Sequence, residues 1–116
     1  MTVSNRGRNG KEKATRLCSQ IVRSKGKCER CGDTDSPHDH AHIIRRTYAA
    51  TRTDEQNGWC LCKKCHYMVD NFGDEFAALV VKTLGWDGYM ALKKKALDGV
   101  RVKMDWPAEV ERLKAL

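Results

Sequence analysis

The sequence predicts a small α+β domain in which helices flank a core that is held together by a metal ion. Two Cys-x-x-Cys pairs stand 30 residues apart and supply four thiolates for such an ion. A strand-like alternation lies between the two pairs, and apolar residues recur at helical spacing on either side of them. The chain of 116 residues is long enough for one domain of this kind.

The N-terminal segment is predicted to be a basic arm followed by a helix. Residues 1–10 are rich in Gly, Ser and Asn and show no apolar periodicity, so we expect them to be flexible. Residues 11–24 are predicted to form a basic helix, because Leu17, Ile21 and Val22 recur at spacings near 3.6 residues.

The central segment is predicted to contain two strands and a helix. Residues 38–44 alternate as a strand that carries three histidines on one face: His38, His40 and His42. Residues 45–57 are polar and are expected to be irregular, and the short apolar run 59–61 is predicted to be a second strand. A helix is expected to leave the second cysteine pair over residues 63–71.

The C-terminal segment is predicted to be helical. Asp74 is expected to cap a helix over residues 75–84, which carries an apolar stripe. We expect a further helix over 86–97, a short extended segment over 100–104, and a last helix over 107–115 that begins with a proline. The chain then divides into a basic arm and helix, a metal-binding core and a helical extension, within one compact domain: 1–26, 27–72 and 73–116.

The formal charge of +7 is concentrated near the N-terminus, because residues 1–30 contain nine basic and two acidic side chains. A local positive field suits a polyanion such as nucleic acid, and a solvated tail that aids solubility is the alternative. The basic residues expected to contact DNA are Arg6, Arg8, Lys11, Lys13, Arg16 and Arg45. No stretch has the length of a membrane span and no apolar signal segment is visible, so a soluble cytoplasmic protein without a membrane partner is expected.

Four of the six cysteines are predicted to bind one structural zinc ion. A Cys-x-x-Cys turn presents two thiolates to one ion, and two such turns form the tetrahedral site that zinc prefers. The predicted ligands are Cys28, Cys31, Cys62 and Cys65. Because such a site has no open position for substrate, its role is structural. Cys60 competes with Cys62 but does not belong to a Cys-x-x-Cys turn, and we expect Cys60 and Cys18 to be buried thiols. Iron or a redox dithiol pair is the alternative to zinc.

A second group of residues is predicted to hold a catalytic cation beside a general base. His42 lies in the first predicted strand, and His66 and Asp70 are four residues apart on one face of the following helix. Hydrolysis of a phosphodiester requires a base to activate water and a cation to stabilise charge on the phosphate and on the leaving 3′ oxygen. A neutral imidazole suits the first role, and nitrogen and oxygen donors suit Mg²⁺, Mn²⁺ or another divalent ion.

The order of these motifs resembles that of the HNH endonucleases, in the zinc-bearing form that is often found in phages. The similar segments are CERCG, HAHII and RTDEQNGWCLCKKCH, within residues 27–71. The resemblance implies a ββα-metal (His-Me finger) core that cuts or nicks DNA with the help of a divalent cation. It also implies a phage or bacterial setting, in which some members of the family assist genome packaging beside the terminase.

The resemblance implies a role for each residue of the second group. His42 would be the general base, and Asn57 would hold the backbone of the loop that aims it. His66 would bind the catalytic ion, and Asp70 stands where many members have a second metal-binding histidine.

One position departs from the pattern of the family. Many members carry an Asp or His ligand immediately before the base, where this chain has Ala41. Either His66 and Asp70 hold the ion with water and substrate, or His40 or Asp39 supplies the missing ligand. By the period of two, His40 shares the strand face of the base.

Two further alternatives concern DNA. Arg46, or else Arg45, is expected to hold the scissile phosphate through a two-pronged contact, whereas in the alternative both are exposed loop charges. For the whole chain, the alternative to an endonuclease is a catalytically inactive zinc module that binds DNA or protein. Such a module has no need of His42, His66 and Asp70 together.

Overall fold

The computed structural model describes the backbone of residues 2–116 and the side chains of residues 10–116. Its elements in chain order are α1 (Thr2–Arg23), β1 (His38–His42), α2 (Ala49–Arg52), β2 (Gly58–Cys62), α3 (Lys63–Asn71), α4 (Gly73–Thr83), α5 (Gly85–Asp98) and α6 (Trp106–Lys114). The α+β class predicted from the sequence is confirmed: the fold is mostly helical, with a two-stranded sheet. Within residues 2–116, no helix combines the length and the apolar character needed to traverse a bilayer.

The two strands pair antiparallel, with His38 opposite Cys62 and His42 opposite Gly58. The prediction of an irregular segment over 45–57 holds for residues 45–48 and 53–54, but it is wrong for the rest, which forms α2 and a 3₁₀ turn, Glu55–Asn57. Polar side chains of this segment form hydrogen bonds with nearby backbone N–H and carbonyl groups, which therefore do not need water as a partner. The Asp54 carboxylate accepts a hydrogen bond of 2.9 Å from the Gln56 N–H, which caps the 3₁₀ turn.

Helix α1 is longer than predicted and begins at Thr2, so the prediction of an arm without helical structure is wrong for residues 2–10, and Met1 lies outside the described residues. Its buried face joins one apolar cluster with β2 and α6: Ala14, Cys18, Val22, Cys60, Val110 and Leu113. Gly10 lets α6 approach closely, because a Cβ on this glycine would lie 3.0 Å from Trp106 Cβ. Once packing orders the second half of the helix, further turns are added at little cost, since nucleation is the costly step.

The larger core lies between the sheet and helices α3 and α4. Trp59 is fully enclosed there, and its indole N–H donates a hydrogen bond of 2.9 Å to Thr83 Oγ1. Phe76 packs edge-on against the indole, with ring centroids 5.4 Å apart. Val69 of α3 and Ala41 of β1 belong to the same cluster. This packing fixes α3 against β1, and so it determines how close their polar residues lie.

Two details of the C-terminal segment differ from the prediction. Helix α4 begins at Gly73, so Asp74 lies in its first turn and does not cap it; a carboxylate in that position still favours the helix through the macrodipole. No strand forms over 100–104: residues 99–101 make a turn, residue 102 is a bend, and residues 103–105 have no regular structure. Helix α6 starts at Trp106, where the Asp105 carboxylate accepts a hydrogen bond of 3.1 Å from the Ala108 N–H.

Candidate active site beside a four-cysteine cluster

Four cysteines form a compact cluster at the ends of the two strands. The sulfur atoms of Cys28, Cys31, Cys62 and Cys65 all lie within 4.8 Å of one another. The Cys31 and Cys62 sulfurs are 3.8 Å apart. A tetrahedral zinc ion with bonds of about 2.3 Å separates its sulfur ligands by about 3.8 Å. The cluster could therefore hold zinc, and it uses the four cysteines predicted from the sequence.

Local backbone geometry builds the first half of the cluster. The Gly32 N–H donates a hydrogen bond of 2.8 Å to the Cys28 carbonyl, and Gly32 has a φ of +82°, which favours glycine. Burial raises the pKa of the Cys28 thiol, but backbone N–H groups, chiefly those of Cys31 and Cys62, outweigh burial and lower this pKa to about 6. The turn thereby favours the thiolate that a metal ion requires.

The second half of the cluster lies where β2 passes into α3. Cys65 is buried in the first turn of α3, and its sulfur accepts a hydrogen bond of 3.3 Å from the Arg30 guanidinium. Arg30 also pairs with Glu75 of α4 at 2.8 Å. Cys18 and Cys60 are fully buried outside the cluster, as predicted. Burial raises the pKa of Cys18 to about 12, which keeps this thiol protonated.

Asn57 holds the loop that follows β1. Its side chain is fully buried, and its Oδ1 accepts a hydrogen bond of 2.7 Å from the Ile44 N–H. Its Nδ2 donates hydrogen bonds of 3.0 Å each to the carbonyls of Ile44 and Thr51. One amide thus ties the residues just after His42 to the end of α2.

His42 ends β1 with one ring nitrogen fixed and the other unbonded within the described part of the chain. Its Nε2 lies 3.0 Å from the Arg52 carbonyl. Since a carbonyl only accepts, Nε2 carries the proton and the lone pair is on Nδ1. Burial lowers the pKa of His42, the charges of Arg46 and Arg52 lower it further, and the hydrogen bond to the Arg52 carbonyl partly opposes them. The ring is neutral at pH 7 and can accept a proton.

His66 stands between two carboxylates, one from β1 and one from its own helix. Its Nδ1 lies 2.9 Å from Asp39 Oδ2, and its Nε2 lies 3.3 Å from Asp70 Oδ2. The other Asp39 oxygen pairs with Lys63 at 3.0 Å. A histidine that binds a metal through one nitrogen commonly donates its other N–H to a carboxylate. Asp39 can therefore orient His66 while Nε2 and Asp70 face an ion.

His40 lies on the face of β1 opposite Asp39, which is the face that carries His42, and the ring centroids of His40 and His42 are 4.2 Å apart. Its Nδ1 is 2.8 Å from Ser19 Oγ of α1, and its Nε2 is buried without a partner among the described residues. A Cβ on Gly58 would lie 2.6 Å from that nitrogen, so the glycine leaves room for the ring. Of the two residues expected to compensate for Ala41, Asp39 contacts His66 and His40 does not.

The second predicted site is thus assembled in part. Among residues 10–116, the four cysteines are the only group of three or more metal-binding side chains close enough to share an ion. His66 and Asp70 form a pair, and His42 shares a cavity of 460 Å³ with Asp70. The strand periodicity of two places Asp39 and Ala41 on one face, and this signal in the sequence favours Asp39 over His40 as the residue that supports His66.

The basic residues expected to contact DNA differ in position. Lys11, Lys13 and Arg16 lie on α1, where Lys13 and Arg16 are exposed. The side chains of Arg6 and Arg8 lie outside the described residues. Arg45 lines the cavity beside His42, and Arg46 is exposed next to it. Both arginines follow the strand that carries the candidate base.

Comparisons of the chain with protein-family models, with curated proteins and with solved structures found no match.

Proposed function

We propose that this protein is a divalent-metal-dependent DNA endonuclease with an HNH-type, His-Me finger core. The observation that supports this proposal most directly is the pairing of a neutral histidine with a histidine–carboxylate site. His42 has its Nε2 bonded to the Arg52 carbonyl, and it shares a cavity with Asp70, which contacts His66. A base and a cation site within one small region are what phosphodiester hydrolysis requires.

Each side chain has a distinct role in the proposed reaction. His42 Nδ1 takes the proton from the attacking water, and the Arg52 carbonyl holds the ring in the required tautomer. His66 Nε2 and Asp70 would hold the cation, and Asp39 orients the His66 ring. A divalent ion held there, Mg²⁺ or Mn²⁺ or another, would supply stabilisation of the negative charge on the phosphate and on the leaving 3′ oxygen.

Two further groups support the reaction. Asn57 keeps the loop after His42 in place through its three buried hydrogen bonds. Arg46, with Arg45 beside it, holds the scissile phosphate, because a guanidinium can donate two parallel hydrogen bonds to phosphate oxygens. The exposed basic residues of α1 contact the DNA backbone, and this contribution weakens as salt concentration rises.

We further propose that the four-cysteine cluster binds zinc and has a structural role. Four thiolates fill the tetrahedral coordination of zinc and leave no position for water. Structural zinc contributes on the order of 10 kcal/mol to the folding of small domains. The site joins the loop before β1 to the start of α3, and so it supports the helix that carries His66.

A zinc module that binds DNA or protein without cleaving it is the second candidate. It is favoured by Ala41, which cannot bind an ion, and by the incomplete donor set around His66 in residues 10–116. A role in phage genome packaging beside terminase is supported by the sequence resemblance alone.

Incubation of supercoiled plasmid with the zinc-loaded protein tests the proposal. With Mg²⁺ or Mn²⁺ we expect nicked or linear DNA, and we expect EDTA to abolish the reaction. His42→Ala should reduce the rate by about 10²–10⁴-fold, the usual contribution of a general base, while zinc content and fold are retained.

His38→Ala is the matched control, because His38 lies on the same face of β1 and also bonds a backbone carbonyl, that of Asp33 at 2.8 Å. Its cleavage rate should match that of the wild type. Plasmid cleavage by His42→Ala at the wild-type rate would exclude His42 as the base. Absence of EDTA-sensitive cleavage in the wild type would favour the binding module.

A further inference from the structure

Three consecutive lysines of α5 have different surroundings. Lys94 pairs with Asp98 at 2.5 Å, and Lys95 pairs with Asp54 at 2.6 Å. Lys93 has no acidic partner among residues 10–116, and it lines the cavity that also contains His42. The charge of Lys93 is therefore available to an anionic ligand in that cavity, whereas the charges of its two neighbours are compensated.

The cavity has the composition of a nucleotide site. Its volume of 460 Å³ lies within the usual range of about 300–1,000 Å³ for small-molecule sites. Three aromatic residues, Tyr48, Phe76 and Tyr89, form part of its wall, and Arg45 and Lys93 provide two positive charges. Aromatic rings offer stacking surfaces to a nucleobase, and the two cations suit a phosphate.

We propose that this cavity binds one unstacked nucleotide of the DNA substrate, next to the phosphodiester bond that His42 attacks. The base enters the aromatic part of the cavity, and its phosphate lies against Lys93 and Arg45. The inference rests on the proposed endonuclease function, because the same cavity is bordered by His42 and Asp70.

A site of this kind determines which DNA is cut fastest. Extrusion of a base from an intact duplex costs a few kcal/mol, and least where the base is mismatched or already unpaired. We therefore expect DNA with an unpaired nucleotide at the cleavage position to be a better substrate than a fully paired duplex of the same sequence.

The first experiment measures binding of a small probe to the full-length, zinc-loaded protein without added Mg²⁺ or Mn²⁺. Deoxyadenosine 5′-monophosphate should bind about tenfold more tightly than deoxyribose 5-phosphate, since one base stacked on an aromatic ring contributes about 1–3 kcal/mol. In NMR spectra, the ring signals of Tyr48 and Tyr89 should shift with the nucleotide. Equal affinity for the two probes, or shifts confined to α1, would overturn the inference.

Two matched variants test the assignment of the charge. Lys93→Ala should weaken nucleotide binding by about tenfold, the loss expected for a hydrogen bond to a charged group. Lys94→Ala, one residue further along α5, should leave affinity unchanged. Equal effects of the two substitutions would refute the role of Lys93.

A cleavage assay separates failure of this inference from failure of the proposed function. If EDTA abolishes plasmid cleavage but the nucleotide does not bind measurably, the proposal that the cavity binds a nucleotide is refuted and the proposed endonuclease activity is supported. If the nucleotide binds in a way that depends on Lys93 but no DNA is cleaved, nucleotide binding by the cavity is supported and the proposed endonuclease activity is refuted. Both proposals are supported if a duplex with one unpaired nucleotide is cleaved faster than a fully paired duplex. This difference in rate should disappear in Lys93→Ala and remain in Lys94→Ala.

Discussion

Replacement of Asn57 by alanine tests whether one buried amide holds the loop of the candidate active site. The substitution leaves two buried backbone groups without a partner, the Ile44 N–H and the Ile44 carbonyl. The Thr51 carbonyl also loses a hydrogen bond, but it still accepts one of 3.2 Å from the Asp54 N–H. Each buried polar group left without a partner costs about 1–3 kcal/mol, so we expect a loss of about 2–6 kcal/mol. This is a large fraction of the stability of a small domain, which is typically about 5–15 kcal/mol.

The assay is urea unfolding followed by circular dichroism, with zinc present in excess so that the four-cysteine cluster stays loaded. Gln56→Ala is the matched control, because Gln56 is the exposed neighbour of Asn57. We expect it to change the free energy of unfolding by less than about 0.5 kcal/mol. Asn57→Asp keeps an acceptor for the Ile44 N–H but turns a carboxylate oxygen toward two carbonyls, so it should be no more stable than the alanine variant at pH 7.

A loss of less than about 1 kcal/mol in Asn57→Ala would refute this reasoning. It would mean that water replaces the amide at little cost, and that the loop after His42 does not depend on Asn57. A large loss for Gln56→Ala as well would mean that any change in the 3₁₀ turn disrupts the fold.

Three other predictions concern stability. Burial, with the nearby charges of His42 and Arg23, lowers the pKa of His40 from its ordinary 6.5 to about 3. The part of the folding stability that depends on neutral His40 is therefore fully present above pH 6.5, and it is lost as the pH falls toward 3. At pH 5 the loss is about 2 kcal/mol, seen as a difference in urea unfolding between the wild type and His40→Gln; parallel pH profiles of the two proteins would contradict it. Gly58→Ala should cost about 1–3 kcal/mol because the new methyl group overlaps the His40 ring, whereas Gly73→Ala, with open space around it, should leave the unfolding midpoint nearly unchanged or raise it. Cys65→Ser should abolish zinc binding and leave the chain poorly folded, measured by elemental analysis and circular dichroism, while Cys60→Ser should keep its zinc; loss of zinc from both variants would refute the ligand assignment.

Local patterns in the sequence were sufficient to predict the parts of the molecule that depend on short-range geometry. The Cys-x-x-Cys spacing predicts the four-cysteine cluster, because such a turn directs two sulfurs toward one point whatever surrounds it. The strand around His42 and the helix that carries His66 and Asp70 were predicted nearly to the residue. Their polar and apolar patterns agree with the packing that the folded chain adopts.

The errors fall where distant contacts outweigh local preference. Residues 1–10 carry no helical pattern, yet α1 extends to Thr2 because its later turns pack against β2 and α6. Residues 45–57 are polar, yet they form helical turns, because the buried Asn57 amide and the Asp54 carboxylate satisfy their backbone groups. Neither contact is visible as a period in the sequence.

By itself, the sequence determined the α+β class and the four cysteines that form the cluster. Only the tertiary structure showed that Asp39 contacts His66, at 2.9 Å, and that Lys93 alone of three adjacent lysines lines the cavity. The physical reason is that these choices depend on partners far along the chain. His66 is 27 residues from Asp39, and Asp54 is 41 residues from the lysine it compensates.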